Sequence, residues 1–550
     1  MSAKALTSGL LLLWLAATGV FAAVKPVKPV GQPTGPPKEK KNDPSHALFA
    51  TNAPIRTFNI EVSGTEWTAL QSNNRSYARG TVTVGTNVFR DAGVHLKGNG
   101  SFRPLNEKPS LVVRFDRYVP GQEFCGLTKI SLNSSSQDST FLADFTANSL
   151  FADANVPVSR VTHARVVLNG RELGLYVLVE MHNKEFLKRW FHNSHGNLYE
   201  AYLADVDSQM DQDNGSDTSQ NDRKRLAAAV RIADPAQRWA QLPEVLDVDR
   251  YVSHLVCEIF TGHTDGYAMN RNNYRIYHNP DTDKFTFIAH GVDWGFQNTG
   301  VSIKPPQSSL VTKAILGTPE GSRLYNERLR TLFTNVFRLE VLTNRVNAAV
   351  GRLVAHARTT NEAKDFLRYG AEMNSRLASR WQNLTNQLYS PPPITPAFDS
   401  SGIAKLSGWH KKVDRNSAAP SAHARTTDGS HHVLRIGCTN GPCVASWRTK
   451  ITLPPGRYVF EGDARSTGVV TQTNQLALGG RLRISGDKGT NGFLAADAPW
   501  THLRSLFTNQ VDEVELVCEL RAFNGEVWFD EDSLRLVRQK PVETKLVPNP

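Results

Sequence analysis

Residues 263–277 have the sequence HTDGYAMNRNNYRIY, which combines an aspartate, three asparagines and the beginning of a β-strand. A second apolar segment, residues 285–288, is followed by AHGVDWG at 289–295. If the two apolar segments pair as a β-hairpin, the polar residues before the first strand and after the second meet at one end of it. The pattern therefore places candidate functional residues in two neighbouring loops.

The residue types in these two loops are those that phosphoryl transfer requires. Asp265 could orient a hydroxyl nucleophile, while an asparagine and a second aspartate could provide oxygen ligands for Mg²⁺. Asp265 and Asn270 have the D-x-x-x-x-N spacing of a kinase catalytic loop, and Asp293-Trp294-Gly295 is similar to D-F-G. The alternative is that these side chains satisfy only the backbone groups of their own loops.

Strands and helices are mixed on both sides of this stretch. Alternating apolar residues predict strands within residues 55–135, and helical spacing predicts a helix over 137–155. Asn169-Gly170 between two apolar runs predicts a tight hairpin turn. The acidic, polar residues 205–222 predict a mobile loop. This mixture predicts an α+β domain over residues 51–390.

The pattern changes at a proline-rich linker, residues 391–399. Short strand-like segments separated by glycine turns then extend over residues 400–540 and predict an all-β sandwich, similar to a jelly roll. Residues 541–550 are expected to form a tail. Cys438 and Cys443 flank a Gly-Pro turn and could form a small disulfide loop after export.

The first 22 residues have the pattern of a secretory signal peptide. Lys4 precedes an apolar run at residues 10–20, and a small-x-small site predicts cleavage near Ala22. The alternative is an uncleaved anchor, although the run is short for a membrane span. The proline- and lysine-rich residues 23–50 predict an extended tether. The chain is therefore expected to be secreted or held at a cell surface, with no later transmembrane segment.

Charge and motif content exclude several other functions. The net charge is +11, part of it in the predicted tether, and no nucleic-acid-binding motif accompanies it. The sequence contains no Walker A motif, no G-x-S-x-G motif and no Cys/His spacing typical of zinc. No nucleic-acid partner is predicted.

Several short motifs in residues 55–390 together resemble the CotH (spore-coat protein H) kinase-like family. They are LKGNGS at 96–101, KPS at 108–110, NG at 169–170 with GLYVLVE at 174–180, GNLY at 196–199, and the blocks at 265–277 and 285–293. The resemblance implies an atypical protein-kinase-like fold in a bacterial protein of the periplasm or cell exterior. It also implies phosphorylation that depends on ATP and on Mg²⁺ or Mn²⁺.

The resemblance further implies roles for residues of the two loops. Asp265 would be the catalytic aspartate and Asp293 a metal ligand. Asn273 matches the metal-binding asparagine in the family's N-Y-x-x-Y motif, whereas Asn270 is the alternative on simple spacing. Family members often have P-W-D-x-D where this chain has AHGVD, so Gly291 replaces the first aspartate. Unless Asp293 substitutes for it, the site would be inactive.

Three basic residues could bind the phosphates of the nucleotide. Lys97, Lys108 and Arg114 lie in or beside predicted strands, and the alternative is that each is a solvated surface charge. Glu180 ends the hairpin that, by the resemblance, leads to the segment beside adenine. These four residues are the predicted cofactor-binding group.

Two functions follow from these observations. The first is a secreted kinase that transfers the γ-phosphate of ATP to Ser or Thr of exported or surface proteins. The second, suggested by Gly291, is a catalytically silent scaffold or surface assembly protein with a glycan-binding C-terminal module. For that module, Trp409 and Trp500 are expected to stack on sugars, while Trp447 and Trp528 are expected in the core.

Overall fold

The structure is a computed structural model that describes residues 43–389, 393–413, 421–471, 478–487, 493–509 and 513–539. The chain divides into two compact units, Met1–Tyr389 and Ser390–Pro550. The predicted signal peptide, most of the predicted tether, the start of the proline-rich linker and the predicted tail lie outside the described residues. Within the described ranges, no helix has the length and apolar character needed to cross a membrane.

A closed seven-stranded barrel forms the first part of the N-terminal unit. Its strands are β1 Arg56–Val62, β2 Ala78–Val84, β3 Asn87–Lys97, β4 Ser110–Arg114, β5 Lys129–Asn133, β6 Val161–Leu168 and β7 Arg171–Glu180. The order is β1-β2-β3-β4-β5-β7-β6, and the parallel pairing of β1 with β6 closes it. Asn169 and Gly170 both have positive φ, 48° and 74°, and join β6 to β7 in the predicted hairpin.

A four-stranded sheet and most of the helices form the remainder of this unit. The sheet contains β8 Leu198–Glu200, β9 Asp211–Asn214, β10 Tyr274–Asn279 and β11 Lys284–Ala289, in the order β11-β10-β8-β9. The helices are α1 His46–Phe49, α2 Gly64–Ser72, α3 Ala143–Asp153, α4 Lys184–Trp190, α5 Asn221–Val230, α6 Pro235–Val245, α7 Val248–Thr261, α8 Tyr267–Asn270, α9 Leu310–Leu316, α10 Pro319–Asn335, α11 Leu339–Ala355 and α12 Thr360–Tyr389. The buried face of α7 packs against the sheet.

Two local predictions differ from the structure. Helix α3 begins at Ala143 rather than near residue 137, because the carboxylate of Asp138 accepts the N–H groups of Leu142 and Ala143 and caps the helix there. Residues 205–222 are not simply a mobile loop, since they contain β9 and the start of α5. Asp205 is buried at the beginning of this segment.

The C-terminal unit consists of two antiparallel sheets. Its strands are β12 Ile403–Lys405, β13 His410–Val413, β14 Ser421–Asp428, β15 His431–Cys438, β16 Cys443–Thr452, β17 Gly456–Val470, β18 Gly479–Ile484, β19 Ala496–Asn509, β20 Glu513–Ala522, β21 Asn524–Asp530 and β22 Arg535–Arg538. One sheet has the order β12-β22-β17-β21-β15-β14, with β19 also paired to β17, and the other has the order β13-β16-β20-β18. The predicted fold class, an α+β region followed by an all-β region, is confirmed.

The core of this unit corrects two predictions about tryptophans. Trp409 is only 5% exposed and stacks on Phe460 with ring centres 6.1 Å apart, so the prediction that it binds sugar from the surface was wrong. Trp447 is buried as predicted, whereas Trp528 lies outside the apolar core cluster and is half-buried. Cys438 and Cys443 form the predicted disulfide.

Candidate active site

The predicted hairpin brings the two polar loops together. Strands β10 and β11 pair in antiparallel register, with Tyr274 opposite Ala289. The chain before Tyr274 contains Asp265 and the asparagines, and the chain after Ala289 contains Asp293. Tyr274, Ile276 and Phe287 anchor this hairpin in the apolar core, so both loops begin from a rigid edge.

Three asparagine amides surround the carboxylate of Asp265. Asn270 donates to Oδ1 at 2.5 Å, and Asn272 and Asn273 donate to Oδ2 at 3.1 and 2.7 Å. Asn273 also donates to the backbone carbonyl of Asp265 at 3.2 Å. Both candidate ligand asparagines, Asn270 and Asn273, therefore contact the predicted catalytic aspartate through their nitrogens, which leaves their amide oxygens directed elsewhere.

A buried glutamate that the sequence analysis did not identify fixes the position of this loop. Glu258 lies near the end of α7. Its carboxylate accepts hydrogen bonds from the N–H groups of Tyr267 and Ala268, the first two residues of α8, at 2.7 and 3.0 Å. A Cβ on Gly266 would lie 2.4 Å from the Glu258 carboxylate, so only glycine fits there. Burial raises the pKa of Glu258 to about 8, and the two N–H donors oppose this rise. A glutamate in an otherwise apolar helix segment is the signal that could have revealed it.

Asp293 lies in a group of charges that joins the second loop to the barrel. Burial raises the pKa of Asp293 to about 6, the positive charge of Lys97 lowers it, and Asp138 and Asp265 raise it further. The last residue of β3 is Lys97, and its Nζ donates to Ser131 Oγ at 3.0 Å. The predicted phosphate-binding lysine and the predicted metal ligand are therefore close enough to affect each other's charge.

Asp144, in the first turn of α3, belongs to the same group and was not identified from the sequence. Its pKa is raised well above the usual value by burial first and by Asp293 second, while Lys97 opposes the rise. The pKa of Lys97 is lowered by burial, and Asp144 and Asp293 oppose that change. Lys97 therefore lies close enough to carboxyl groups from two distant segments for their charges to act on it.

Further basic side chains lie between the barrel and the four-stranded sheet. Burial lowers the pKa of Lys129 on β5, and the nearby charges of Arg275 and Arg114 lower it further. Arg114, one of the predicted phosphate-binding residues, pairs with Asp116 at 2.9 Å. The ring of His290 is 5.1 Å from that of His182. Lys129, Arg275 and the two histidines come together only in the folded chain.

The other two predicted cofactor-binding residues lie in different surroundings. The ammonium of Lys108 is 4.5 Å from the ring centre of Phe141, and burial lowers its pKa to about 8. The buried carboxylate of Glu180 pairs with Arg160 at 2.7 Å and with Arg189 at 2.5 Å. Among the described residues, neither Lys108 nor Glu180 forms a hydrogen bond or ion pair with the loop aspartates.

The side chains of the two loops carry oxygen atoms, the donor type that a hard divalent cation prefers. Within the described ranges, no group of three or more His, Cys, Asp or Glu side chains is arranged to hold a metal ion. The negative charge of Asp265 raises the pKa of Asp293, so the two carboxylates repel each other when Asp293 is ionised. The amide oxygens of Asn270 and Asn273 would complete an all-oxygen ligand set, which suits Mg²⁺. A metal site here would thus depend on asparagine oxygens as well as carboxylates.

Exposed apolar side chains occur at the same end of the sheet. Tyr202 and Leu203 follow β8, which pairs with the beginning of β10, and Trp294 follows Asp293. They are 61%, 47% and 39% exposed. Leu203 has φ of 50°, a backbone conformation that a leucine adopts only under strain. We refer to these three exposed side chains as the apolar rim of the site.

The N-terminal unit is thus an α+β domain whose candidate site combines a loop aspartate held by asparagines with a buried lysine near further carboxyl groups. The family described as CotH kinase protein matches residues 94–389, more than half of the chain. The chain belongs to this family, as the sequence motifs predicted.

Individual relatives and solved structures share little sequence identity with the chain. "Inner spore coat protein H" of Bacillus subtilis (strain 168) is 20% identical over 258 residues, which cover 43% of this chain and 70% of that protein. The Helicobacter pylori proinflammatory kinase CtkA has a TM-score of 0.24 at 7% identity and covers 54% of this chain and 97% of its own. TmCBM61, solved with β-1,4-galactotriose, has a TM-score of 0.18 at 12% identity and covers 24% of this chain and 91% of its own. At these TM-scores neither structure defines a fold or a ligand for this chain.

Proposed function

We propose that the N-terminal unit is a protein kinase that transfers the γ-phosphate of ATP to Ser or Thr hydroxyls of exported or cell-surface proteins. The observation that carries the proposal is that three asparagine amides hold Asp265, while Asp265 and Lys97 both lie close enough to Asp293 for their charges to act on it. Family membership supports the same activity. Export rests on the apolar run at residues 10–20.

Asp265 would orient the acceptor hydroxyl and receive its proton. Hydrogen bonds from the three asparagine amides fix the orientation of its carboxylate toward the acceptor. The hydroxyl oxygen forms a bond to the γ-phosphorus, the bond from that phosphorus to the bridging oxygen of ADP breaks, and the proton passes to Asp265.

The remaining charged residues would hold the nucleotide. Lys97 would contact a phosphate oxygen, and Lys108, Arg114 and Glu180 would bind the rest of the nucleotide; all four stay predictions. Asp293 and the amide oxygen of Asn270 or Asn273 would hold Mg²⁺ or Mn²⁺, which when bound neutralises charge on the transferring phosphate.

The apolar rim supports a polypeptide as the acceptor. Tyr202, Leu203 and Trp294 are exposed beside the loops of the candidate site. Exposed apolar groups of this size are typical of surfaces that bind another chain. A small polar acceptor would gain nothing from them.

A second candidate function is that of a silent scaffold or surface assembly protein, and Gly291 favours it. This glycine has φ of 57° and no side-chain oxygen, at the position where family members often carry an aspartate. In that case the chain would act through binding alone. For either function, we infer that the C-terminal unit binds a glycan and localises the protein, because Trp500 and Trp528 remain outside the apolar core.

Transfer of labelled phosphate decides between kinase and scaffold. The purified chain from residue 23 onward is incubated with γ-labelled ATP, Mg²⁺ or Mn²⁺, and a set of exported proteins. We expect labelling that falls by about 100-fold or more in Asp265→Asn, since a positioned acid or base contributes this much. Asp293→Asn should lose metal-dependent ATP binding.

The matched control is Asp365→Asn, an exposed aspartate on α12 whose partner is Arg368. This variant should transfer labelled phosphate and bind ATP to the same extent as the unaltered protein. Folded protein that transfers no label under any of these conditions would reject the kinase and leave the scaffold.

A further inference from the structure

Four side chains form a row across the outer face of the larger C-terminal sheet. Arg465 on β17 is in register with Trp528 on β21, which is in register with Arg435 on β15. Trp500 on β19 lies between the residues paired with Ala464 and Ser466 of β17, and so faces Arg465. Indole and guanidinium groups thus alternate over four neighbouring strands.

The row faces away from the apolar core of the unit. The strand neighbours of these residues, Leu434 and Ile436 on β15 and Val527 and Phe529 on β21, all belong to that core. Side chains alternate between the two faces of a strand, so the row lies on the opposite face. None of its four members belongs to the core cluster.

Cation–π contacts hold the indoles in this row, and the ring of His431, 4.4 Å from that of Trp500, also holds Trp500. The guanidinium of Arg465 is 4.0 Å from the ring centre of Trp528 and 5.8 Å from that of Trp500. Arg435 is 5.9 Å from the Trp528 ring centre, at the outer limit of a cation–π contact, like Arg465 over Trp500. Trp528 is therefore closely covered by a guanidinium on one side, and both rings have a defined position before any ligand arrives.

Each arginine of the row has its own carboxylate. Arg465 Nε contacts Asp428 Oδ2 at 2.5 Å, and Arg435 Nε donates to Glu526 Oε2 at 2.9 Å. The two ion pairs leave the row with no excess positive charge. The four charged side chains are 26–36% exposed, so their remaining donors and acceptors can reach a ligand.

We propose that the row formed by Trp500, Arg465, Trp528 and Arg435 is the binding surface for a neutral polysaccharide chain. The C–H faces of sugar rings pack on indoles, and planar guanidinium and carboxylate groups form paired hydrogen bonds with neighbouring hydroxyls. The two indoles are two strands apart, about 10 Å, so a chain of sugars and not a single ring can contact both. An anionic polymer would find no unpaired positive charge in the row.

This proposal rests on the glycan-binding role proposed for the C-terminal unit and adds its site and ligand class. The experiment is affinity electrophoresis of the full chain through gels that contain one soluble neutral polysaccharide each: β-glucan, galactan, xylan or mannan. Gels with an anionic polymer, polygalacturonate, and with no polymer are run alongside. Retardation by at least one neutral polymer is expected.

Single variants locate the site. Trp528→Ala and Trp500→Ala should each weaken binding by about three- to tenfold, the effect of losing one aromatic contact. Trp528→Phe, which keeps an aromatic ring, should retain most of the affinity and covers the case in which Trp528→Ala does not fold. Leu506→Ala is the matched control, because Leu506 is a 60% exposed apolar residue elsewhere on β19.

The outcomes separate the site from the broader role. Retardation that persists unchanged in both tryptophan→alanine variants would overturn the site but leave glycan binding by the unit. Retardation by no polymer, or by polygalacturonate alone, would overturn the neutral-glycan proposal. Variants that melt earlier yet bind normally would show that the row only stabilises the sheet.

Discussion

The amide oxygen of Asn273 lies 2.6 Å from the position that a Cβ atom on Gly291 would occupy. Both residues have positive φ, 48° at Asn273 and 57° at Gly291. The site residue Asn273 therefore occupies space that any side chain at position 291 would need. With Asn273 in the position that contacts Asp265, an aspartate at position 291 would clash with its amide.

Gly291→Ala should destabilise the protein through its left-handed backbone and through the clash with Asn273. The left-handed backbone alone costs a non-glycine residue about 1–2 kcal/mol, and the displaced Asn273 amide adds to this. Urea denaturation should show that Asn273→Gly removes part of the penalty when the two changes are combined, because the clash disappears. Gly300→Ala is the control, since a Cβ there has no neighbour closer than 3.6 Å. A Gly291→Ala cost no larger than that of Gly300→Ala would contradict the prediction.

Glu258 should make stability depend on pH. Its pKa in the folded protein is about 8, above its usual 4.5. Between these values the folded state keeps a proton that the unfolded state has released, so stability falls as pH rises from about 4.5 to about 8. The shift sets an upper limit of about 5 kcal/mol on this loss.

Urea denaturation of the unaltered protein and of Glu258→Gln across this range tests the effect. Below pH 4.5 the difference between the two proteins should be constant, and at higher pH the unaltered protein should lose stability relative to the variant. The buried histidines His254 and His263, whose pKa values burial lowers to about 3 and about 4, contribute equally to both proteins and cancel. A difference that does not vary with pH would rule out a buried, protonated Glu258.

Arg380 should be among the most costly residues to replace. It is fully buried on α12 and donates to the carbonyls of Phe260 and Ile259 at the end of α7, and to those of Thr299 and Val301. Arg380→Met removes one donor from each of these buried carbonyls, although those of Val301 and Ile259 keep a second donor, Gln387 Nε2 and the Gly262 N–H. We therefore expect a loss of about 3–5 kcal/mol.

The control for this change lies on the same helix. Arg368→Met replaces an arginine whose side chain is 63% exposed, and it should alter stability by less than about 0.5 kcal/mol. Equal effects of the two substitutions in urea denaturation would show that the buried hydrogen bonds contribute no net stability.

The apolar rim should affect acceptor binding and not nucleotide chemistry. Leu203→Gly removes an exposed side chain and relieves a positive φ, so stability should stay constant or rise by up to about 1 kcal/mol. If a polypeptide contacts the rim, KM for a protein acceptor should rise severalfold while ATP binding is unchanged. Leu367→Ala, at a 57% exposed leucine on α12, is the control. An unchanged KM in Leu203→Gly would exclude this part of the rim from acceptor binding.

Local sequence patterns were sufficient for several parts of the molecule. Asn169-Gly170 predicted the hairpin turn, and the polar residues around 263–277 predicted two loops meeting at a second hairpin. Cys438 and Cys443, five residues apart, predicted their disulfide. Each of these depends on backbone preferences or contacts within a short segment, which the order of residues alone determines.

Long-range contacts decided the rest. Asp144 joins the candidate site from α3, and nothing in its own segment indicates that Lys97 will lie near it. Trp409 and Trp528 were assigned to opposite sides of the sandwich from local pattern, and the structure reversed both.

The physical reason is the same in each case. Burial and charge depend on which distant strands and helices pack together, and a strand with the same alternating pattern can turn either face to the core. Motifs and local patterns were enough to predict the family, the two hairpins and the change from a mixed to an all-β region. Which carboxyl groups lie near Lys97, and which tryptophans remain outside the core, could be read only from the folded chain, because both depend on contacts between residues far apart in the chain.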